Sequence, residues 1–181
     1  MKTLLRLLPL LLLATFASAE GLDPAVQAKL DAQFAIIESW AADPIVVEAV
    51  KTQNAKLPPE LAALTQEKWR ALTVLDPLVR GFSKNAAGQF LKSKRSPIIS
   101  EAFLSDAAGC KVAFIAKTTN WCHKGNAKHD QPMAGQRWQG KIEVDESSGQ
   151  QQIQLSVPVF DGGKPIGSLC IGISVTVIIS S

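Results

Sequence analysis

The sequence predicts an α+β domain: a long N-terminal amphipathic helix and further helices packed on a five-stranded antiparallel sheet. Three observations carry this. Asp-Pro occurs three times in the N-terminal half, at Asp23-Pro24, Asp43-Pro44 and Asp76-Pro77. Asp accepts hydrogen bonds from the free N–H groups of a helix start, and Pro fits the first turn, so each pair opens a helix. Periodicity then changes at Ser96-Pro97. Near the C-terminus, two segments alternate apolar and small or polar residues with a period of two, the signature of strands with one buried face.

The elements follow in order. Met1 to Ala19 has a basic start (Lys2, Arg6), a short apolar core from Leu7 to Phe16 and an Ala17-Ser18-Ala19 cleavage signature. This reads as a secretory signal peptide cut before Glu20. The apolar core is too short for a span, which needs about 20 residues. The absence of Cys at the cut argues against a lipid anchor. The expectation is a single domain over residues 20–181, periplasmic or secreted, with no membrane insertion after cleavage and no second domain beyond the last strand.

After Asp23-Pro24, the residues Val26, Leu30, Phe34, Ile37 and Ala41 share helical spacing, predicting a long helix that ends near Trp40 to Ala42. The second pair predicts a shorter helix from Pro44 to about Asn54, broken by Leu57-Pro58-Pro59. Glu60 to Leu72 reads as one helix with Leu61, Leu64, Trp69 and Leu72 on one side. The third pair opens a short segment to about Gly81. A last helix from Asn85 to Lys94 is weakened by Gly88. The helical part thus covers about 22–95.

The sheet part covers about 98–177. Ile98 to Ser105 and Lys111 to Lys117 read as strands around an Asp106-to-Gly109 turn. Thr118 to Gln139 lacks periodicity and is expected to be a long functional loop. Lys141 to Asp145 is a third strand, followed by a turn at Glu146 to Gly149. The fourth strand alternates Ile153, Leu155, Val157 and Val159 with Gln152, Gln154, Ser156 and Pro158. After Asp161-Gly162-Gly163, the fifth alternates Leu169, Ile171, Ile173 and Val175 with Ser168, Cys170, Gly172 and Ser174. The small face of this last strand leaves room for something bulky.

Charge and composition exclude several roles. The formal charge of +3 falls to +1 without Lys2 and Arg6, and no basic block forms a nucleic-acid footprint. The chain has no G-x-S-x-G elbow, no H-E-x-x-H and no phosphate-binding glycine loop, so no enzymatic activity and no catalytic residue are expected. No cofactor is implied. The three cysteines, Cys110, Cys122 and Cys170, permit at most one internal bridge. Cys170 reads as a buried thiol, and the pairing stays open.

Order and motifs then point to a family. The segments SDAAGCKVAF, TTNWCHKGNAKHD, VDESSGQQQIQLSVPV and DGGKPIGSLCIGISV resemble single Cache (PDC-type) extracytoplasmic sensor domains, whose sheet is PAS-like. The resemblance covers roughly Gly21 to Val177. It implies signal transduction through binding of a small solute (a carboxylate, amino acid or amine) between the sheet and the long loop. Most such domains sit between two membrane helices of a chemoreceptor or kinase. This chain has no such helices, so the resemblance implies a free periplasmic binder that reports to a separate membrane-bound kinase or transporter.

The loop supplies the candidate ligand-binding residues. Trp121 and Trp138 offer apolar walls or cation–π faces, although loop tryptophans also serve as anchors. His123, Lys124, Lys128 and His129 form a local cation source, and Asp130 can meet an amine. Gln152 and Gln154 share a strand face with Ser156 and can hydrogen-bond a ligand or face solvent. Two other readings stand beside this one. One is a metal or redox protein built on Cys122, His123 and His129, although the spacing matches no familiar ligand set and no metal is expected. The other is a ligand-free interaction module that uses the sheet or the first helix to form a homodimer or dock on a partner.

Overall fold

The computed structural model describes residues 22–144 and 149–180. The expected signal peptide and the turn residues Asp145 to Ser148 lie outside the described residues. Among the described residues, no helix is long and apolar enough to cross a membrane.

Each Asp-Pro pair opens a helix as expected. Asp23 accepts from the Ala25 N–H at 2.7 Å, Asp43 from Ile45 at 2.9 Å and Asp76 from Leu78 at 2.8 Å. They start α1 (Pro24–Ala41), α2 (Pro44–Ala55) and α5 (Pro77–Lys84). Leu30, Phe34, Ile37 and Ala41 form the buried stripe of α1. The single helix expected from Glu60 to Leu72 is instead two short ones, α3 (Pro59–Ala62) and α4 (Gln66–Ala71). Thr65 breaks the run because its backbone is extended and its hydroxyl caps Lys68 N–H. The third segment runs past Gly81 to Lys84, and α6 (Ala86–Ser93) follows at once, capped by Asn85. Gly88 has a packing reason: a Cβ there would lie 2.3 Å from the Phe82 carbonyl oxygen. Its absence lets α6 pack closely on α5.

The sheet contains β1 (Ile99–Asp106), β2 (Lys111–Phe114), β3 (Trp138–Val144), β4 (Gln151–Asp161) and β5 (Lys164–Ser174). All pairs are antiparallel, in the order β2-β1-β5-β4-β3. A short helix, α8 (Val175–Ser180), follows the last strand. The third strand begins earlier than expected, at Trp138. A register shift between Gln139 and Ile142 breaks the alternation that would have revealed it.

The two sheet faces pack differently. Leu104, Ile153, Leu155, Val157, Leu169, Ile171 and Ile173 meet the apolar stripes of α1 and α2 in the main core. On the other face, Phe103 and Cys170 join a second cluster with Leu61, Trp69, Val79, Phe82, Phe114 and Trp121. The segment after β2 folds back over this second face. It is not an open loop, because it contains α7 (Ala127–Met133), capped by Asn126 and packed against β4 and β5.

Candidate functional site

The sheet face under α7 is polar because the alternating partners of the core residues are Gln152, Gln154, Ser156, Ser168, Gly172 and Ser174. Between this floor and the segment covering it lies a cleft of about 220 Å³. Glu101 and Phe103 of β1 line it, with Gln152 and Gln154 of β4 and Glu143 and Val144 of β3. The cover contributes Thr118, Thr119, Asn120, His123 and Lys128.

A chain of hydrogen bonds crosses the floor. The Lys128 ammonium donates to Gln154 Oε1 at 2.5 Å, and Gln154 Nε2 donates to a Glu101 carboxylate oxygen at 2.7 Å. One amide therefore holds a cation and an anion apart across a small polar space. Ser100 donates to Gln152 Oε1 at 2.6 Å. Gln152 fits because Gly172 lies beside it: a Cβ on Gly172 would stand 2.2 Å from Gln152 Oε1 and 2.6 Å from Ser100 Oγ. The room left by the small face of β5 is thus filled by an amide of the cleft floor. Gly172→Ala is expected to displace Gln152 and destabilise the fold by about 1–3 kcal/mol, the usual cost of overpacking, read from denaturant midpoints.

His123 is buried in the cleft wall and stacks on Phe103, with ring centroids 4.9 Å apart. Its Nδ1 lies 2.6 Å from the ammonium of Lys111, a fully buried side chain whose charge also sits 4.3 Å from the Phe103 ring centroid. Burial pulls the Lys111 pKa down to about 7. Burial, and then the adjoining Lys111 charge, push that of His123 down to about 2, so the ring is neutral. These shifts follow from low-dielectric surroundings that penalise the charged form.

Of the loop residues expected to bind a ligand, His123 and Lys128 line the cleft. Trp121 is turned into the second core cluster, 5.5 Å from both Trp69 and Phe82, and anchors the cover. Trp138 lies over Gly140 at the start of β3. His129, on α7, is buried against the sheet, with Nδ1 2.8 Å from Ser168 Oγ. Burial lowers its pKa against the pull of a hydrogen bond with the Ala107 backbone. Lys124 is exposed, and Asp130 accepts from the Gly125 N–H. Glu101, Phe103 and Lys111 were not among the expected site residues. The signal for Glu101 was a carboxylate in the interior of a strand whose other charged residue, Asp106, stands at its end.

Cys110 and Cys122 form a disulfide, and Cys170 is a buried thiol, pushed up to about 12 mainly by burial. The disulfide removes the Cys122 thiolate that a metal or redox set with His123 and His129 would need. The two imidazoles are in addition engaged by Lys111 and Ser168. Backbone bonds reinforce the join, with His123 N–H donating to the Gly109 carbonyl and Lys111 N–H to that of Trp121.

A larger open groove of about 810 Å³ lies on the helical side, between α2 and α6. Its volume exceeds that of the cleft, but its chemistry suits a polar solute poorly. The Gln53 amide is engaged by Asp106 and the Lys111 carbonyl, and Asn85 by the Val112 carbonyl and Gly88 N–H. Convergent polar groups, rather than size alone, mark the cleft as the candidate site.

No family model matches the sequence, and no curated protein matches it. Solved structures do match, and three of them each cover 86% of this chain. The sensor domain of the V. cholerae histidine kinase DctB matches with 14% identity and a TM-score of 0.51, over 54% of its own length. The ligand-binding domain of the Pseudomonas aeruginosa PAO1 amino acid chemoreceptor PctC, in complex with GABA, gives 17%, 0.51 and 57%. That of the Pseudomonas fluorescens chemoreceptor CtaA, in complex with L-serine, gives 12%, 0.51 and 56%. The chain therefore spans a little over half the length of these domains. At such identities the likeness shows the fold alone, helices packed on a five-stranded antiparallel PAS-like sheet, as expected from the sequence.

Proposed function

We propose that this chain is a non-enzymatic sensor-type domain that binds a small polar solute in the cleft beneath α7. The observation that carries this reading is the Lys128–Gln154–Glu101 chain on the cleft floor. It presents opposite charges across about 220 Å³, a space suited to a molecule of amino-acid size. Lys128 would take a carboxylate, Glu101 an amine, and the Gln152 and Gln154 amides either. Phe103 and Val144 supply apolar wall. The solved domains of similar fold include one in complex with GABA and one with L-serine, which supports an organic acid, amino acid or amine as the ligand. In this reading the leader exports the domain to the periplasm, and the liganded surface is read by a separate membrane-bound partner.

A thermal-shift panel of succinate, 4-aminobutyrate, L-serine, L-valine and putrescine tests it. At a hundredfold excess over Kd, a ligand specific to the native state adds about 2.7 kcal/mol. For a domain of this size that is a Tm increase of roughly 5–10 °C. Lys128→Ala or Glu101→Gln is expected to weaken binding tenfold or more, since hydrogen bonds to charged groups contribute about 1.5–3 kcal/mol. Lys124→Ala, on the exposed part of the cover, is expected to keep the shift. Absence of stabilisation by every compound would count against a ligand site and favour a ligand-free interaction module.

A further inference from the structure

Lys111 is an unusual resident of a protein interior. Its side chain is fully buried on β2, and its terminal nitrogen lies 2.6 Å from Nδ1 of a neutral imidazole. Two groups beside its terminal nitrogen, His123 and the ring of Phe103, are cleft wall. Lys111 therefore stands one side chain behind the surface that meets a ligand. An ammonium can only donate, so a charged Lys111 fixes His123 Nδ1 as the acceptor and leaves the ring proton on Nε2. Protonation of Lys111 thus fixes the donor of His123 on Nε2, the tautomer suited to an anion at that nitrogen.

Building on the cleft as a ligand site, we infer that Lys111 and His123 form a proton-coupled anion sensor. A carboxylate entering beside His123 draws one proton onto the Lys111 amine, and the pair thereby selects ligands that carry an anionic group.

The surroundings of Lys111 make this coupling direct. Glu101 and Asp106 of β1 favour its charge, and Lys128 of α7 opposes it. The Cys170 thiol of β5 is held neutral by burial. His123 comes from the segment after β2 and His129 from α7, and α2 supplies Gln53, whose amide engages Asp106. A ligand carboxylate near Lys128 and His123 offsets the repulsion between Lys128 and Lys111 and replaces part of the solvation that burial removed. Both effects raise the proton affinity of Lys111. With its pKa already lowered to about 7, the uptake falls just above neutral pH.

Isothermal titration calorimetry tests this with three probes: succinate, 4-aminobutyrate and putrescine. Each is titrated in buffers of different ionisation heat between about pH 6.5 and 8.5, so that proton uptake is read directly. The expected result is uptake approaching one proton for the two carboxylates near the top of that range. Their affinity should weaken by up to about tenfold per pH unit there, the limit for one linked proton. Putrescine should take up none. Lys111→Met is expected to abolish both the uptake and the pH dependence, with circular dichroism reporting that the domain is folded. His123→Gln, which keeps a donor but removes the imidazole link, gives a second variant expected to reduce the uptake. Carboxylates that bind with pH-independent affinity and no uptake overturn the inference while leaving the ligand site standing. Binding of putrescine alone does the same. Failure of all three probes at every pH overturns both.

Discussion

Raising the pH from about 7 towards 10 is expected to stabilise this protein, opposite to the alkaline behaviour of a fold held by lysine ion pairs. The cause is Lys111. Its pKa is about 7 in the fold against the ordinary 10.5. Between those values the unfolded chain holds a proton that the folded chain lacks. Stability therefore rises with pH by up to about 1.4 kcal/mol per unit, and the destabilising contribution is complete below about pH 7. His123 acts with the same sign in a lower window. Its pKa is about 2 in the fold and 6.5 outside it, so stability falls as pH drops below 6.5. Urea midpoints across pH 5 to 9.5 are expected to climb throughout. Lys111→Met should flatten the upper limb and raise stability at pH 7, because a well-packed apolar side chain avoids the desolvation of a buried charge. A Met variant less stable than the parent at pH 7, with the slope unchanged, would show that Lys111 is not strained by its burial.

The second large effect is expected at Trp69. Its side chain is fully buried at the centre of the second cluster, with Phe82, Phe114 and Trp121 all within about 6 Å by ring centroid. Its indole N–H donates to the Thr118 carbonyl at 2.8 Å. Trp69→Ala removes that volume and is expected to cost about 3–5 kcal/mol. The freed Thr118 carbonyl also loosens the first residues of the cover, two of which, Thr118 and Thr119, line the cleft. Trp69→Phe keeps most of the ring packing but loses the hydrogen bond, so a smaller loss of about 1 kcal/mol is expected. Denaturant midpoints of the two variants separate packing from the carbonyl tie.

These residues show where the sequence was informative. Helix starts were legible because an Asp-Pro pair is a local signal that acts on its own neighbours. Strands β4 and β5 were legible because eight alternating positions leave no competing period. The helix α7 was not, since seven mostly polar residues with His129 and Pro132 as the buried ones carry no apolar stripe. His123 and Lys128 stood out through the composition of the segment itself. Glu101 and Phe103 did not, because the face they occupy is set by pairing of Phe103 with Cys170 and Glu101 with Gly172, far away in the chain. Trp121 was equally consistent with a wall or an anchor until Trp69 and Phe82, from two other helices, were seen against it. The Cys110–Cys122 link needed the chain to reverse after β2 and run back beside it, which brings residues 110 and 122 together.

That link gives the covering segment a polarity. Its leading end is stitched covalently to the root of β2 at Cys110–Cys122. Its trailing end is tied to α1 by Arg137, which grips the Glu38 carboxylate with two nitrogens, and by the paired amides of Gln27 and Gln139. The first tie cannot open without chemistry, whereas an exposed ion pair adds at most about 1 kcal/mol and weakens with salt. The two ends of the segment are therefore held unequally, residue 122 by a covalent bond and residue 137 by contacts that salt weakens. Residue 137 thus ties the trailing end of the cover to the flank of the long N-terminal helix.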